Sequence, residues 1–428
     1  MSFTLLQVVT CLAQRQFGAE VGQMLGAARA FGADEALWGV YHGHRGPCGR
    51  TRLMYAAKKG RLERVKFLLK RGAEVDARDA QGCTALMWAS KHGRRKVVRA
   101  LVKRGGACAN AARAADGKTA LMWACEYGHR TIARLLLKRG GASANAARAD
   151  GETALMLACK HGHVKVARLL LECEGINVNA ASTDADTNGG TTALMIASHE
   201  GYLEIARLLL ECEGINVNAA CTDSGMTALM WVSQEGHLEI VRLLVERGDI
   251  DFSAISFDGG GNALMLAILK DRRDIVRLLI GQEGVDVNAF PGAGGEGATA
   301  LMLASEIGRM EIVGLLLTRE DIDLNAAGTG DGGGGVTALM AASQNGHLEI
   351  VRLLVERADI NVNAASSCGR TAYRWAISRG HLNVALLLLQ HGAERPRTLY
   401  FDKTKRRFFT AKKSPAWPGR PCPGPSWQ

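Results

Sequence analysis

Between residues 50 and 394 the apolar positions fall in short runs with helical spacing, separated by glycine turns and polar stretches. The block that begins at Thr153, TALMLACKHGHVKVARLLLECEGINVNA, shows the pattern. Leu155, Ala158 and Cys159 lie within about 100° of one another on a helical wheel, and Val166, Leu169 and Leu170 share one face of a second run. Thr153 suits an N-cap, because its hydroxyl can accept an early backbone N–H. The pattern predicts a first helix to Lys160, a left-handed stop at Gly162, a second helix over 164–172 and an extended finger at Asn-Val-Asn-Ala. Helices of about eight to ten residues are marginal in water on their own. Each pair must therefore bury its apolar face on the next pair.

The tetrapeptide Thr-Ala-Leu-Met that opens this block recurs at Thr84, Thr119, Thr192, Thr227, Thr299 and Thr337, with variants at Thr51, Asn262 and Thr371. Ten starts spaced 33 to 39 residues apart mark an all-α repeat solenoid. The Gly-x-Thr-Ala-Leu start, the Ala five residues after the Thr, the Gly-His turn and the Asn-Val-Asn-Ala finger closely resemble the ankyrin repeat family. Gly236-His237-Leu238-Glu239-Ile240-Val241-Arg242-Leu243-Leu244 is nearly that family's consensus. The resemblance covers 50–394, some 80% of the chain. It implies stacked helix-turn-helix units with finger loops. It also implies a non-enzymatic protein–protein interaction scaffold that binds on a concave face and on the finger tips.

Two departures stand out. The family has Pro second and His fourth in the tetrapeptide, whereas this chain has Ala second and, in nine of ten units, Met fourth. The family's Thr–His hydrogen bond is thus expected to be absent, with a soft thioether filling the site. In the seventh unit Asn262 replaces Thr and Asp271 replaces the turn Gly, which predicts local weakening or a bend. The longer fingers at 182–191, 291–298 and 328–336 are Gly-rich, which predicts mobility.

Charge is distributed unevenly. Residues 1–44 carry −1, 45–140 carry +18, 141–394 carry −14 and 395–428 carry +8, for the overall +11. The sequence holds no 18-residue apolar run, so no membrane span is expected. Residues 1–14 lack Lys and Arg and read as a helix rather than a signal peptide. The eleven Cys form no Cys-x-x-Cys, and Cys125 with Cys159, like Cys173 with Cys212, recur at one repeat position. They read as buried thiols in a reducing, intracellular setting, cytoplasmic or nuclear.

Counting from the Thr as zero, positions +4, +7 and +8 fall opposite the packed face of the first helix and are the recognition candidates. Lys58, Lys59, Lys91, His92, Glu126, Tyr127, Lys160, His161, Glu200 and Glu235 occupy +7 and +8. Position +4, with Trp88, Trp123 and Trp231, is read either as an aromatic binding stripe or as partial burial between helices. Arg50 and Lys118 complete a basic front expected to take an acidic protein partner. The Gly-His histidines sit at a turn position and read as structural. Asp116-Gly117-Lys118-Thr119 resembles the end of a phosphate loop but lacks the first Gly, which is Ala112. His42, His44 and Cys48 make no metal spacing. No nucleophile–base pair or cofactor fingerprint is present, so neither an enzyme nor a cofactor is expected.

Residues 1–49 hold three short apolar runs that end in Asp34-Glu35-Ala36-Leu37-Trp38. They read as a helical cap on the first repeat, or as a degenerate segment resembling an F-box. The F-box reading implies an adaptor of a cullin-type ubiquitin ligase as partner and makes the chain a substrate receptor. The tail from 395 is basic and Pro-rich, and 414–428 are expected to be disordered. Its Leu399-Tyr400-Phe401 and Phe408-Phe409 predict a hairpin that covers the last, nearly all-apolar helix at Val384–Leu389. The intervening Lys403-Thr404-Lys405-Arg406-Arg407 reads as an import signal or as a dock for another copy's acidic rear. Nucleic-acid binding by the basic segments is a third class, and the −14 rear disfavours an extended track.

Overall fold

The computed structural model describes residues 47–183, 189–257, 261–290, 297–328, 334–394, 399–402 and 407–410. Of the cap or F-box-like segment at 1–49 all but the last three residues, and of the tail residues 395–398, 403–406 (most of the import-signal run) and those beyond 410, lie outside the described residues. The chain divides into two compact units, one of residues 1–187 with 211–215 and the other of 188–210 with 216–428.

Unit 1 holds four helix pairs after a 3₁₀ turn at Pro47–Gly49: α1 (Arg52–Lys59) and α2 (Leu62–Lys70), α3 (Ala85–Lys91) and α4 (Arg95–Gly105), α5 (Ala120–Glu126) and α6 (Arg130–Gly140), α7 (Ala154–Lys160) and α8 (Val164–Leu171). The first helices α1, α3, α5 and α7 stack on one another, and the second helices α2, α4, α6 and α8 form a second layer.

Unit 2 repeats this with six pairs: α9 (Ala193–His199) and α10 (Leu203–Leu210), α11 (Ala228–Glu235) and α12 (Leu238–Val245), α13 (Ala263–Leu269) and α14 (Arg273–Ile280), α15 (Ala300–Glu306) and α16 (Met310–Leu316), α17 (Ala338–Asn345) and α18 (Leu348–Val355), α19 (Ala372–Arg379) and α20 (Leu382–Gln390). A hairpin of β1 (Leu399–Asp402) and β2 (Arg407–Thr410) follows, pairing Phe401 with Phe408, and β2 runs beside α19. Leu382 and Leu386 of α20 are 53% and 59% exposed. Among the described residues no helix is long and apolar enough to cross a membrane.

Small residues set the close packing of the first helices. The Ala at +5, from Ala89 to Ala376, has no exposed surface in most repeats. Position +6 is equally dry in the seven repeats where it holds Cys125, Cys159 or a serine. Burial pushes the Cys159 thiol up to about 12 and the Cys125 thiol higher still.

The methionine does more than fill space. Thr84 Oγ1 accepts the Met87 N–H at 3.3 Å, and Met87 Sδ accepts the Thr84 N–H at 3.4 Å. The same reciprocal cap closes α1, α5, α7, α9 and α15. A thioether here takes the acceptor role that Glu or Gln plays in a capping box.

The turn histidines are structural, as their position suggests, and they reach across repeats. His129 Nε2 lies 3.2 Å from the Lys91 carbonyl, His163 Nε2 2.9 Å from that of Glu126, and His347 Nε2 2.9 Å from that of Glu306. These carbonyls end the preceding first helix, where no intrahelical partner exists. Arg94 and Arg272 do the same work at 3.1 Å for Lys58 and Gln234. The turn glycine must be small as well as left-handed: at Gly201, with φ +75°, a Cβ would sit 2.4 Å from the His237 ring.

The seventh repeat keeps its cap and its turn despite its substitutions. Asn262 Oδ1 accepts the Met265 N–H at 3.0 Å. Asp271 adopts the left-handed φ of 56° and binds Arg273 at 3.2 Å and Arg309 at 3.3 Å. The Arg273 guanidinium holds the Asp271 carboxyl below the usual carboxylate range.

The fingers are tied by asparagines. Asn145 Nδ2 donates to the Gly175 carbonyl at 2.7 Å while its Oδ1 accepts the Asn177 N–H at 2.8 Å. Asn110, Asn218, Asn288, Asn325 and Asn363 make the same two-way bond to the following repeat. The long finger at 328–336 is closed at its base by a Gly328–Val336 bridge.

Candidate functional site

In unit 1 the finger turns and the first helices bring two indoles and a ring of cations together. Trp88 and Trp123 are one repeat apart and 8% and 7% exposed, so their rings belong to the packed layer. Leu157, Leu303, Ala341 and Trp375 at the same position are buried too. Partial burial is therefore the better of the two readings of position +4.

Asp79, on the finger before α3, accepts the Trp88 indole N–H at 2.9 Å and the Arg50 Nε–H at 3.4 Å. It also accepts the N–H groups of Gln81 and Cys83, which fix the finger turn. The Arg50 guanidinium lies 4.1 Å above the Trp88 ring. One repeat on, the Trp123 indole N–H is buried and has no acceptor among the described residues. Its ring is instead covered by cations, with Lys118 Nζ at 3.9 Å and Lys91 Nζ at 4.2 Å from the centroid.

Lys118 was expected to face a partner, and the structure corrects this. It is 6% exposed and ion-paired to Glu126, so both charges are satisfied within the chain. Arg113 binds Asp116 through Nε at 2.7 Å. Burial raises the Asp116 carboxyl, but Arg113 and the Lys118 N–H together hold it below the usual range.

Lys58 and Lys91 are different. Their ammonium groups lie over aromatic faces, Lys58 at 5.0 Å from Trp88 and Lys91 over Trp88, Trp123 and Tyr127, and neither has an ion pair among the described residues. Lys59 is exposed beside them. Gln81, Cys83, Met87, Trp88, Lys91, Arg113 and Trp123 line a small cleft here. His92 stacks on Trp88 and Tyr127 on Trp123, at 5.9 and 6.0 Å between centroids. Burial, then Lys58, Lys91 and Arg94, keep the His92 imidazole below its usual range.

In the next repeat of unit 1 Lys160 and His161 are exposed, with Lys160 3.5 Å from Glu152. Glu200, Trp231 and Glu235 belong to unit 2 and form a separate group. There His199 meets the Trp231 ring edge-on at 4.9 Å and Glu200 at 3.3 Å, and Glu235 accepts from Gln234.

Sequence reasoning missed Asp79 and Arg113. Both lie on finger turns outside the helical register, and only the fold of the finger carries Asp79 back to Trp88, nine positions ahead. Among the described residues no group of three His, Cys, Asp or Glu side chains could hold a metal.

Comparison with known proteins agrees with this architecture. A family model described as Ankyrin repeats (3 copies) matches in overlapping copies at 27–113, 106–182, 140–221, 181–255, 216–291, 253–328 and 301–398. The first match begins at residue 27, ahead of the start at 50 that the tetrapeptide suggests. No curated protein sequence matches the chain. Among solved structures, the ankyrin repeat domain of Bcl-3, a unique member of the IkappaB protein family, is 32% identical; the match covers 54% of this chain and 99% of that one, with a TM-score of 0.47. With the family model spanning residues 27 to 398, the chain belongs to the ankyrin repeat family.

Proposed function

We propose that the chain is a binding scaffold without catalytic chemistry, and that the finger and first-helix side of unit 1 captures an acidic segment of a protein partner. The observation that carries this reading is the contrast among its cations. Arg50 and Lys118 are matched by Asp79 and Glu126. Lys58 and Lys91 rest on indole faces and keep their N–H donors for an incoming carboxylate. An ammonium held on a ring is attracted by the ring's quadrupole yet remains a full charge for a ligand.

The test uses Trp fluorescence of the full chain, titrated with a Glu-rich peptide at low salt. Saturable quenching is expected, weakened at least tenfold in K58E/K91E. Affinity purification with the same variant should lose partners that carry acidic segments. Equal quenching and an unchanged partner set would sink the proposal.

A further inference from the structure

Most of the positive charge of unit 1 lies away from that site. Helices α2, α4 and α6 together carry twelve Lys and Arg against one carboxylate, Glu63. Lys66 is half-buried and pairs with Glu63 at 2.7 Å. The other eleven are exposed and have no ion pair among the described residues.

Their spacing is regular. In α4 Arg95, Arg99 and Lys103 stand at i, i+4 and i+8, opposite the buried Val97, Val98 and Leu101. In α6 Arg130, Arg134 and Lys138 hold the same registers, opposite Ile132, Ala133 and Leu136. Lys66 and Lys70 continue two of the rows on α2. Cations four residues apart are about 6 Å apart along a helix, and the stacked helices are about 8–10 Å apart. The result is a flat grid of roughly 12 by 20 Å, closed on one side by Glu172, which stands in the row of Lys103 and Lys138.

The chain itself supplies the comparison. In unit 2 the arginines of the Arg99 row are Arg207, Arg242, Arg277 and Arg352, and each has a carboxylate three residues earlier. The last three pair with it: Arg242 with Glu239 at 3.4 Å, Arg277 with Asp274 at 3.9 Å and Arg352 with Glu349 at 3.4 Å. In unit 1 that earlier position is Lys96 before Arg99, Thr131 before Arg134 and Lys165 before Arg168. The basic grid thus arises where a neutralising acid used elsewhere in the same repeat is replaced.

We infer that this outer face of unit 1 holds the phosphate backbone of a nucleic-acid duplex. Guanidinium rows suit phosphate oxygens, which accept two parallel N–H bonds. A duplex presents one charge per about 1.7 Å of axis, so about ten to twelve phosphates lie along a 20 Å face. The exposed large apolar side chains of the described residues include none on α4 or α6. The face therefore offers no platform for the stacked bases of a single strand and no wedge for a bilayer. Phe67 of α2 is exposed but lies under Arg71, 5.5 Å from its guanidinium. Contact through phosphates alone is sequence-independent, and the patch is local rather than a track along the chain.

The experiment is fluorescence anisotropy of a labelled 20-base-pair duplex with the full chain, from 50 to 200 mM KCl. For about six phosphate contacts, affinity should fall with a log–log slope near −5. K96E/T131E/K165E transplants the unit 2 pattern, so the fold has a precedent for it; duplex binding should weaken at least tenfold and the slope should flatten. Arg99→Gln/Arg134→Gln should act in the same direction. K58E/K91E, on the finger side, should stay within twofold of the parent. The inference fails if no duplex binds at 50 mM salt, if the K96E/T131E/K165E chain binds as well as the parent, or if K58E/K91E weakens binding as much. Capture by phosphatidylserine vesicles without capture by the duplex would assign the face to a membrane surface instead and overturn it.

Discussion

Trp88 donates its indole N–H to Asp79 across nine residues of sequence, at 2.9 Å. The carboxylate is buried, and it also holds Arg50 and two finger N–H groups. Replacing Asp79 with Ala leaves a buried indole N–H and a guanidinium without their acceptor. Unit 1 should lose about 2–3 kcal/mol, measured by urea unfolding. Trp88 emission should also shift to the red, because the loosened finger admits water. A loss below about 0.5 kcal/mol would show that the contact is incidental.

The cap predicts an ordering between its two members. Thr119→Ala removes a hydroxyl acceptor and should cost about 1 kcal/mol. Met122→Leu keeps the volume and removes a weak thioether acceptor, so it should cost less than Thr119→Ala, though more than zero. Thermal unfolding of both variants gives the comparison, and equal costs would reduce the sulfur to packing.

At the turn, His237→Arg should stay near parental stability, because Arg94 and Arg272 already serve the same carbonyl in other repeats. His237→Ala removes the partner of the His199 carbonyl at 3.2 Å and should cost about 0.5–1.5 kcal/mol. If His237→Arg destabilised the chain as much as His237→Ala, the equivalence of the two residues would be wrong.

Serines at the dry +6 position keep hydroxyls without a partner among the described residues, as at Ser198, Ser233 and Ser305. Cys125 and Cys159 fill the same site. Ser233→Ala should therefore be neutral or stabilising by up to about 1 kcal/mol. A clear loss of stability would mean that the hydroxyl is satisfied in solution.

Glu306 gives a pH signature. Burial pushes its carboxyl up to about 7, from an ordinary value of 4.5. The folded state thus prefers the protonated form, so unit 2 should lose stability as pH rises from about 4.5 to 7, and Glu306→Gln should remove that loss. His92 acts in unit 1 with the opposite slope. Its lowered pKa favours the neutral ring, so stability should fall as pH drops below about 6.5. Urea midpoints between pH 4 and 8 for the parent, Glu306→Gln and His92→Gln separate the two.

The repeat period, the helix bounds and the turn glycines could all be read from the tetrapeptide register, because burial and capping act locally. The fate of individual charges could not. Lys118 and Lys58 look alike in sequence, yet Glu126 lies within reach of one and an indole face within reach of the other. The front's +18 also hid a split between two sides of the repeat, since most of it sits on the second helices. That split is visible only when each lysine is placed on its own helix.

The histidine and asparagine contacts run in opposite directions. A turn histidine reaches back to complete the helix before it, and a finger asparagine reaches forward to bind the backbone after it. A repeat cut at its threonine is therefore unfinished at both boundaries, and its missing partners belong to its neighbours. Within either unit the indivisible element of folding is the junction, so fraying should advance in steps of one boundary, each exposing a helix-end carbonyl and a finger N–H together.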